Sequence, residues 1–203
     1  AVEYNYICKL IGTKLGIDQK TNLPQNIYTL FNEDKKVVEG LYRFNYDKYY
    51  IRIGNESGNN SFFYALYKIY KKINPRARDF NNFVDLLFSN LTYSIFNTLN
   101  NGYLNHVFME NYNIKIDSFQ NYLEYIYSDE YKYHDYFLDY ICNYSNIFGE
   151  NVNIIILTEI DDKVHAMCPK TFNFDTTNKC IFLYKQLAHY EIICYFDSSK
   201  NCH

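Results

Sequence analysis

The sequence contains no tryptophan, and only 7 glycines and 3 prolines occur among its 203 residues. So little glycine and proline excludes a collagen-like or proline-rich chain. No apolar run reaches about 18 residues, so we predict no transmembrane helix and no membrane partner. No basic segment followed by an apolar one stands at the start, so we expect no secretory signal. We therefore expect an intracellular protein in the cytoplasm, which for a viral protein would be that of the host cell.

The sequence also lacks an excess of positive charge and any metal-binding spacing. Its 20 Lys and Arg against 23 Asp and Glu leave a net charge of -3, which argues against a nucleic-acid partner. No C-x-x-C pair occurs and the histidines are scattered, so we expect no metal and no cofactor. We interpret the six cysteines as reduced thiols without disulfides, several of them core residues. These are Cys8, Cys142, Cys168, Cys180, Cys194 and Cys202.

Aromatic residues are abundant, with 24 Tyr and 16 Phe. Together with frequent Asn, Lys and Ile they suggest an AT-rich genome, as in a protist, an AT-rich bacterium or a large DNA virus. A hydrophobic fraction of 48% beside 21% charged residues is typical of a chain that buries a core. The tyrosines of 125–136 stand among acidic residues; we interpret them as helix packing, with a protein-binding face as the alternative.

The patterning predicts an α+β domain at 48–197, with an N-terminal extension of residues 1–47 packed on it and a tail at 198–203. Apolar residues spaced i, i+3, i+4, i+7 predict the helices, and apolar or β-branched runs predict the strands. The predicted helices are 61–74, 79–99, 118–127 and 134–147. The predicted strands are 48–53, 152–160, 163–167, 181–184 and 190–196.

One group of residues could carry chemistry. Ser61 follows the Gly/Asn-rich loop 54–60 at the start of a predicted helix, where unpaired amides and the helix dipole favour an anion. His189 opens the last long strand, and Glu191, two residues on, faces the same side. This order fits a nucleophile, a base and an orienting acid. Alternatively, Ser61 only caps the helix, and His189 and Glu191 form an exposed pair at a sheet edge.

Two short motifs resemble those of the ovarian-tumour (OTU) family of cysteine proteases. The segment Asn60-Ser61-Phe62-Phe63-Tyr64-Ala65-Leu66 resembles that family's nucleophile motif, Asp-Gly-Asn-Cys-(Leu/Phe)-Phe-Arg-Ala-(Leu/Val). His189-Tyr190-Glu191 resembles its late His-Tyr-(Asn/Asp) motif, and the strand at 151–157 resembles the one that precedes the histidine strand. The resemblance covers roughly residues 48–197.

The resemblance implies a papain-like fold, with a central mixed or antiparallel sheet flanked by helices and the nucleophile at a helix N-terminus. It implies an isopeptidase whose partner is ubiquitin or a ubiquitin-like modifier. We expect the protein to be a monomer. It assigns Ser61 as nucleophile, His189 as base and Glu191 as orienting acid. Backbone amides of Gly58, Asn59 and Asn60 would form the oxyanion hole.

This chain departs from the family pattern in two important places. Ser61 stands where the family has cysteine, and a hydroxyl is far harder to ionise than a thiol. Gly58 stands where the family has Asp three residues before the nucleophile. We therefore expect a deubiquitinase that is inactive with Ser61, whether a substrate trap or a natural pseudoenzyme. Two alternatives stay open: a ubiquitin-binding or structural module without chemistry, and a serine hydrolase on the same frame.

Overall fold

The computed structural model describes residues 14–31, 48–128, 137–168 and 175–197, and the remaining residues lie outside this description. The chain divides into two compact units. The first takes its described residues from 1–65, 155–167 and 181–203, and the second from 66–154 and 168–180. The helices are α1 (Gln25–Phe31), α2 (Ser61–Ile73), α3 (Phe80–Phe88), α4 (Tyr93–Phe96), α5 (Leu104–Tyr112), α6 (Phe119–Tyr127) and α7 (Leu138–Asn143).

Six strands form one sheet in the order β1-β2-β6-β5-β3-β4. They are β1 (Lys20–Thr21), β2 (Lys48–Ile53), β3 (Val152–Ile160), β4 (Lys163–Met167), β5 (Lys179–Gln186) and β6 (His189–Asp197). β6 runs antiparallel to β2 on one side and to β5 on the other. The predicted α+β class is therefore confirmed, with a six-stranded sheet flanked by helices.

The sheet register places the charged residues of the site on one face. Arg52 lies opposite Ile193, and Glu191 lies opposite Tyr184. Because alternate residues of a strand share a face, Arg52, Glu191 and Ile193 all point to the same side of the sheet. The diagonal neighbours Arg52 and Glu191 can therefore meet.

Helix α1 covers part of this face. It begins directly after Pro24, a residue that suits a helix start because its missing N–H is not needed there. The Pro24 carbonyl accepts hydrogen bonds from the amides of Ile27 and Tyr28. Ile27 and Tyr28 pack in one buried cluster with Leu157, Tyr184 and Ile193. The stretch 14–31, which belongs to the predicted N-terminal extension, thus supplies part of the first unit's core.

Helix α2 begins at Ser61, as predicted. A turn precedes it, in which Gly58 has φ +110°, a value that side chains other than hydrogen rarely allow. Phe62, Phe63 and Ala65 are buried, and the helix ends at Ile73, just before the Asn74-Pro75 step that disfavours helix.

The second unit corrects one prediction. The single helix expected over 79–99 is wrong: α3 ends at Phe88, α4 covers only Tyr93–Phe96, and a 3-10 turn follows at Leu99–Gly102. The break occurs because Thr92 caps α4, its hydroxyl accepting the amide of Ile95 at 3.2 Å. Asn100 and Asn101 then adopt left-handed φ values of 49° and 56°.

The other predicted elements agree better with the structure. Strands 48–53, 152–160 and 163–167 and the helix at 118–127 are confirmed within one residue, and the last two strands are longer than predicted. The helix expected over 134–147 is shorter, Leu138–Asn143, and residues 134–136 lie outside the described ranges. Helices α1 and α5 were not predicted.

Replacing Ile27 by Ala tests whether α1 belongs to the core. Ile27 is fully buried, so we expect the free energy of unfolding to fall by about 2–5 kcal/mol. Leu30→Ala on the same helix is the control, because Leu30 is 60% exposed and should change stability by no more than about 0.5 kcal/mol. Urea unfolding of both variants measures these changes. Equal losses of stability in the two variants would contradict the packing of Ile27 in the core.

Candidate active site

The three residues predicted to act together do meet in the first unit. The Ser61 Oγ lies 3.3 Å from His189 Nδ1, and His189 Nε2 lies 3.5 Å from Glu191 Oε1. All three are buried, with exposed fractions of 1%, 6% and 0%. The alternative of an exposed edge pair at His189 and Glu191 is therefore wrong.

The Ser61 side chain ties the start of α2 to β6. Its Oγ accepts a hydrogen bond from the Tyr190 amide at 2.7 Å, and the Tyr190 carbonyl lies 3.3 Å away. The hydroxyl has one hydrogen, so it can donate either to that carbonyl or to His189 Nδ1. Ser61 is therefore more than a helix cap, because its oxygen bonds to a strand 129 positions away.

The Glu191 carboxylate faces the imidazole nitrogen that points away from Ser61. A carboxylate opposite Nε2 favours the tautomer that carries its proton there, which leaves Nδ1 free to accept a proton from position 61. At 3.5 Å the contact is long for a hydrogen bond, as acid–base pairs often are before substrate binds. The order of the three side chains is the one expected for a nucleophile position, a base and an orienting acid.

Sequence reasoning missed Arg52, which binds the other oxygen of the acid. Arg52 Nη1 donates to Glu191 Oε2 at 2.6 Å, and both side chains are 0% exposed. Its Nε donates to the Asn22 carbonyl at 3.2 Å, and its guanidinium lies 5.3 Å from the Tyr184 ring centre. The sequence signal was faint: one cation inside an otherwise uncharged part of a strand.

Several donors hold Glu191 ionised. Burial alone would raise its pKa, but the contact with His189, the charge of Arg52 and hydrogen bonds from Leu15 and Arg52 outweigh burial and lower the pKa. The Leu15 amide donates to Glu191 Oε1 at 2.8 Å. Glu191 is therefore a buried carboxylate with donors on both of its oxygens.

The loop before Ser61 carries the amides assigned to the oxyanion hole. The Ser61 amide donates to the Gly58 carbonyl at 3.2 Å, so that amide is bonded inside the turn. Asn55 Nδ2 donates to the Ser61 carbonyl at 2.7 Å and fixes the loop from the other side. The oxyanion role of Gly58, Asn59 and Asn60 stays a prediction.

None of the four cysteines in the described ranges offers an alternative nucleophile of this kind. Burial raises the pKa of Cys142 to about 12 and also raises that of Cys168, so both disfavour a thiolate. Cys180 is exposed on β5, and Cys194 lies in mid-strand on β6; neither occupies a helix N-terminus. Position 61 is thus the best-placed nucleophile position in the described part of the chain.

The described ranges contain neither a metal site nor a helix that could span a membrane. No group of His, Cys, Asp and Glu there could hold a metal ion. No helix in those ranges combines the length and the hydropathy needed to cross a bilayer.

Comparison with known proteins adds no family. No family profile, no curated protein and no solved structure gives a significant match to this chain.

Replacing Arg52 by Met tests the buried ion pair. The variant leaves the Glu191 carboxylate buried without its cation, so we expect a loss of about 3–5 kcal/mol in the free energy of unfolding. The double variant Arg52→Met/Glu191→Met removes both charges and should recover much of that loss. Denaturant unfolding of the parent, the single variant and the double variant measures both; a double variant no more stable than Arg52→Met would contradict the coupling.

The lowered pKa of Glu191 predicts an acid-sensitive stability. A carboxyl whose pKa is lower in the folded state contributes stability that is fully present above its unfolded pKa, about 4.5. That contribution is lost as the pH falls through the folded pKa. The difference in unfolding free energy between the parent and Glu191→Gln should therefore shrink below about pH 4.5. Urea titrations from neutral to acidic pH measure it, and a difference independent of pH would contradict the ionised buried acid.

Proposed function

We propose that this chain carries the site of a papain-like, OTU-type thiol hydrolase that acts on ubiquitin or a ubiquitin-like modifier, with Ser61 at the nucleophile position. One observation carries the proposal: Ser61 Oγ lies 3.3 Å from one ring nitrogen of His189, while the other ring nitrogen faces Glu191. The two sequence motifs, which share these same residues, support the choice of family.

A thiol at position 61 would have the groups it needs. His189 would take the thiol proton, and Glu191 would stabilise the imidazolium that forms. The thiolate would attack the isopeptide carbonyl carbon, and His189 would return the proton to the departing lysine amine. Water would then hydrolyse the thioester and release the modifier's carboxylate.

Serine performs this chemistry poorly in such a site. A thiol has a pKa of about 8.5 and gives a thiolate readily beside an imidazole, whereas an alkoxide is far less accessible. The residue is also only 1% exposed, which limits the access of a substrate to its hydroxyl. We therefore expect the chain to be inactive as a hydrolase while Ser61 is present.

The same contacts favour a second candidate, a pseudoenzyme that serves as a ubiquitin-binding or structural module. A buried serine that joins α2 to β6 through the Tyr190 backbone needs no substrate to explain it. A ubiquitin titration against the unmodified protein separates the two kinds of module. Micromolar binding lost on changes around His189 indicates a retained modifier site, whereas no binding indicates a structural role.

The Ser61→Cys variant tests the proposal most simply. We expect it to cleave ubiquitin chains or to be labelled by a probe with an electrophile at the ubiquitin C-terminus. The matched control is Ser61→Cys/His189→Ala, in which loss of the base should lower the rate by about 100-fold or more. Gel-based cleavage and intact mass measure both.

Each outcome of this experiment separates the candidates. A well-folded Ser61→Cys protein that neither cleaves nor is labelled would remove the hydrolase proposal. Labelling of the unmodified protein at Ser61 by a fluorophosphonate would instead identify a serine hydrolase on this frame.

A further inference from the structure

The N-terminal segment, residues 14–19, reaches the oxygen of Glu191 that faces the base. The Leu15 amide donates to Glu191 Oε1 at 2.8 Å, and the same oxygen lies 3.5 Å from His189 Nε2. The other carboxylate oxygen, Oε2, accepts a hydrogen bond from Arg52 Nη1. The carboxylate is therefore held at two points, and Leu15 holds the one that touches the imidazole.

Gly54 makes this position of the N-terminal segment possible. A Cβ on Gly54 would lie 1.9 Å from the Gly16 carbonyl oxygen and 2.7 Å from Leu15 Cβ, so no other residue fits without displacing the segment. Two backbone hydrogen bonds fix the same contact: Gly54 N to the Gln19 carbonyl at 2.7 Å, and Asp18 N to the Gly54 carbonyl at 3.2 Å.

We propose that the Leu15 backbone amide is a positioning group of this site, which orients Glu191 toward His189. The absence of a side chain at Gly54 lets the N-terminal segment lie close enough for this amide to donate. This inference rests on the proposed function for its kinetic consequence, although its geometric part stands without it. The backbone donor that holds the predicted orienting acid thus comes from outside the two motif segments.

The physical reason is the freedom of a carboxylate. With Arg52 alone, the carboxyl group could still turn about its last bond, and Oε1 would leave the imidazole. The amide fixes that rotation without adding a charge. In the part of the chain that the structure describes, the charged or titratable groups that face Glu191 are Arg52 on β2, His189 on β6 and Tyr184 on β5. The Leu15 amide differs from them because it is a donor that carries no charge and does not titrate.

The sharpest test removes only the donor. Incorporation of the α-hydroxy analogue of leucine at position 15 replaces the N–H by an ester oxygen and keeps the side chain. In the Ser61→Cys background we expect kcat to fall by about tenfold or more with KM nearly unchanged, since misplaced groups cost rate. In the protein with Ser61 we expect the ¹⁵N signal of His189 Nε2 to move.

Gly54→Ala gives an independent second variant. It displaces the N-terminal segment and should reproduce both effects. The matched control is Gly16→Ala, whose Cβ would meet only the end of the Gln19 side chain, at 3.2 Å, and should keep kcat within about twofold.

The two readouts separate the two proposals. If Ser61→Cys is inactive but the ester still moves the His189 signal, the hydrolase proposal fails and the positioning role holds. If a folded ester variant leaves both the ring signals and kcat at parent values, the positioning role is wrong, whatever the enzyme does.

Discussion

The buried ion pair between Arg52 and Glu191 is the interaction on which the site depends. Both side chains are fully buried, and their closest atoms are 2.6 Å apart. Two charges in the interior are costly to desolvate, so such a pair is weak evidence for stability by itself. Here the pair joins two neighbouring strands and fixes the carboxylate that faces His189, which favours a role in orienting the base.

Position 61 combines three features that favour a negative charge. It lies at the first residue of a helix, it receives the Tyr190 amide, and it faces the His189 imidazole. These features would stabilise a thiolate far more effectively than an alkoxide. These supporting groups are the ones that the proposed thiol hydrolase needs, and they surround a residue that is ill suited to its reaction.

Part of this arrangement could be predicted because its signals are local. The continuous apolar run in β3 and the Gly/Asn loop before α2 both act over a few residues. The meeting of Ser61 and His189 followed from a motif order and not from any local pattern. Arg52 could not be found in this way, because a single cation in a strand does not reveal a partner 139 positions away.

The missed elements have physical reasons of their own. Helix α1 has only 7 residues, too few for a periodic pattern to stand out, and its stability comes from packing on the sheet. The predicted helix at 79–99 is interrupted because Thr92 is the N-cap of a new helix, α4. An α-helix also does not continue past α4, because Asn100 and Asn101 tolerate a left-handed backbone conformation. Hydrophobic periodicity thus fails to predict a helix where tertiary contacts, or side chains that bond to the nearby backbone, determine the local structure.

The pKa of a thiol placed at position 61 shows whether the start of α2 is a nucleophile site. It is measured on Ser61→Cys from the pH dependence of alkylation by iodoacetamide and needs no substrate. We expect a pKa well below the ordinary value of about 8.5, and an increase toward that value when His189 is also replaced by Ala. A thiol pKa at or above the ordinary value in the folded variant would contradict a nucleophile site at the start of α2.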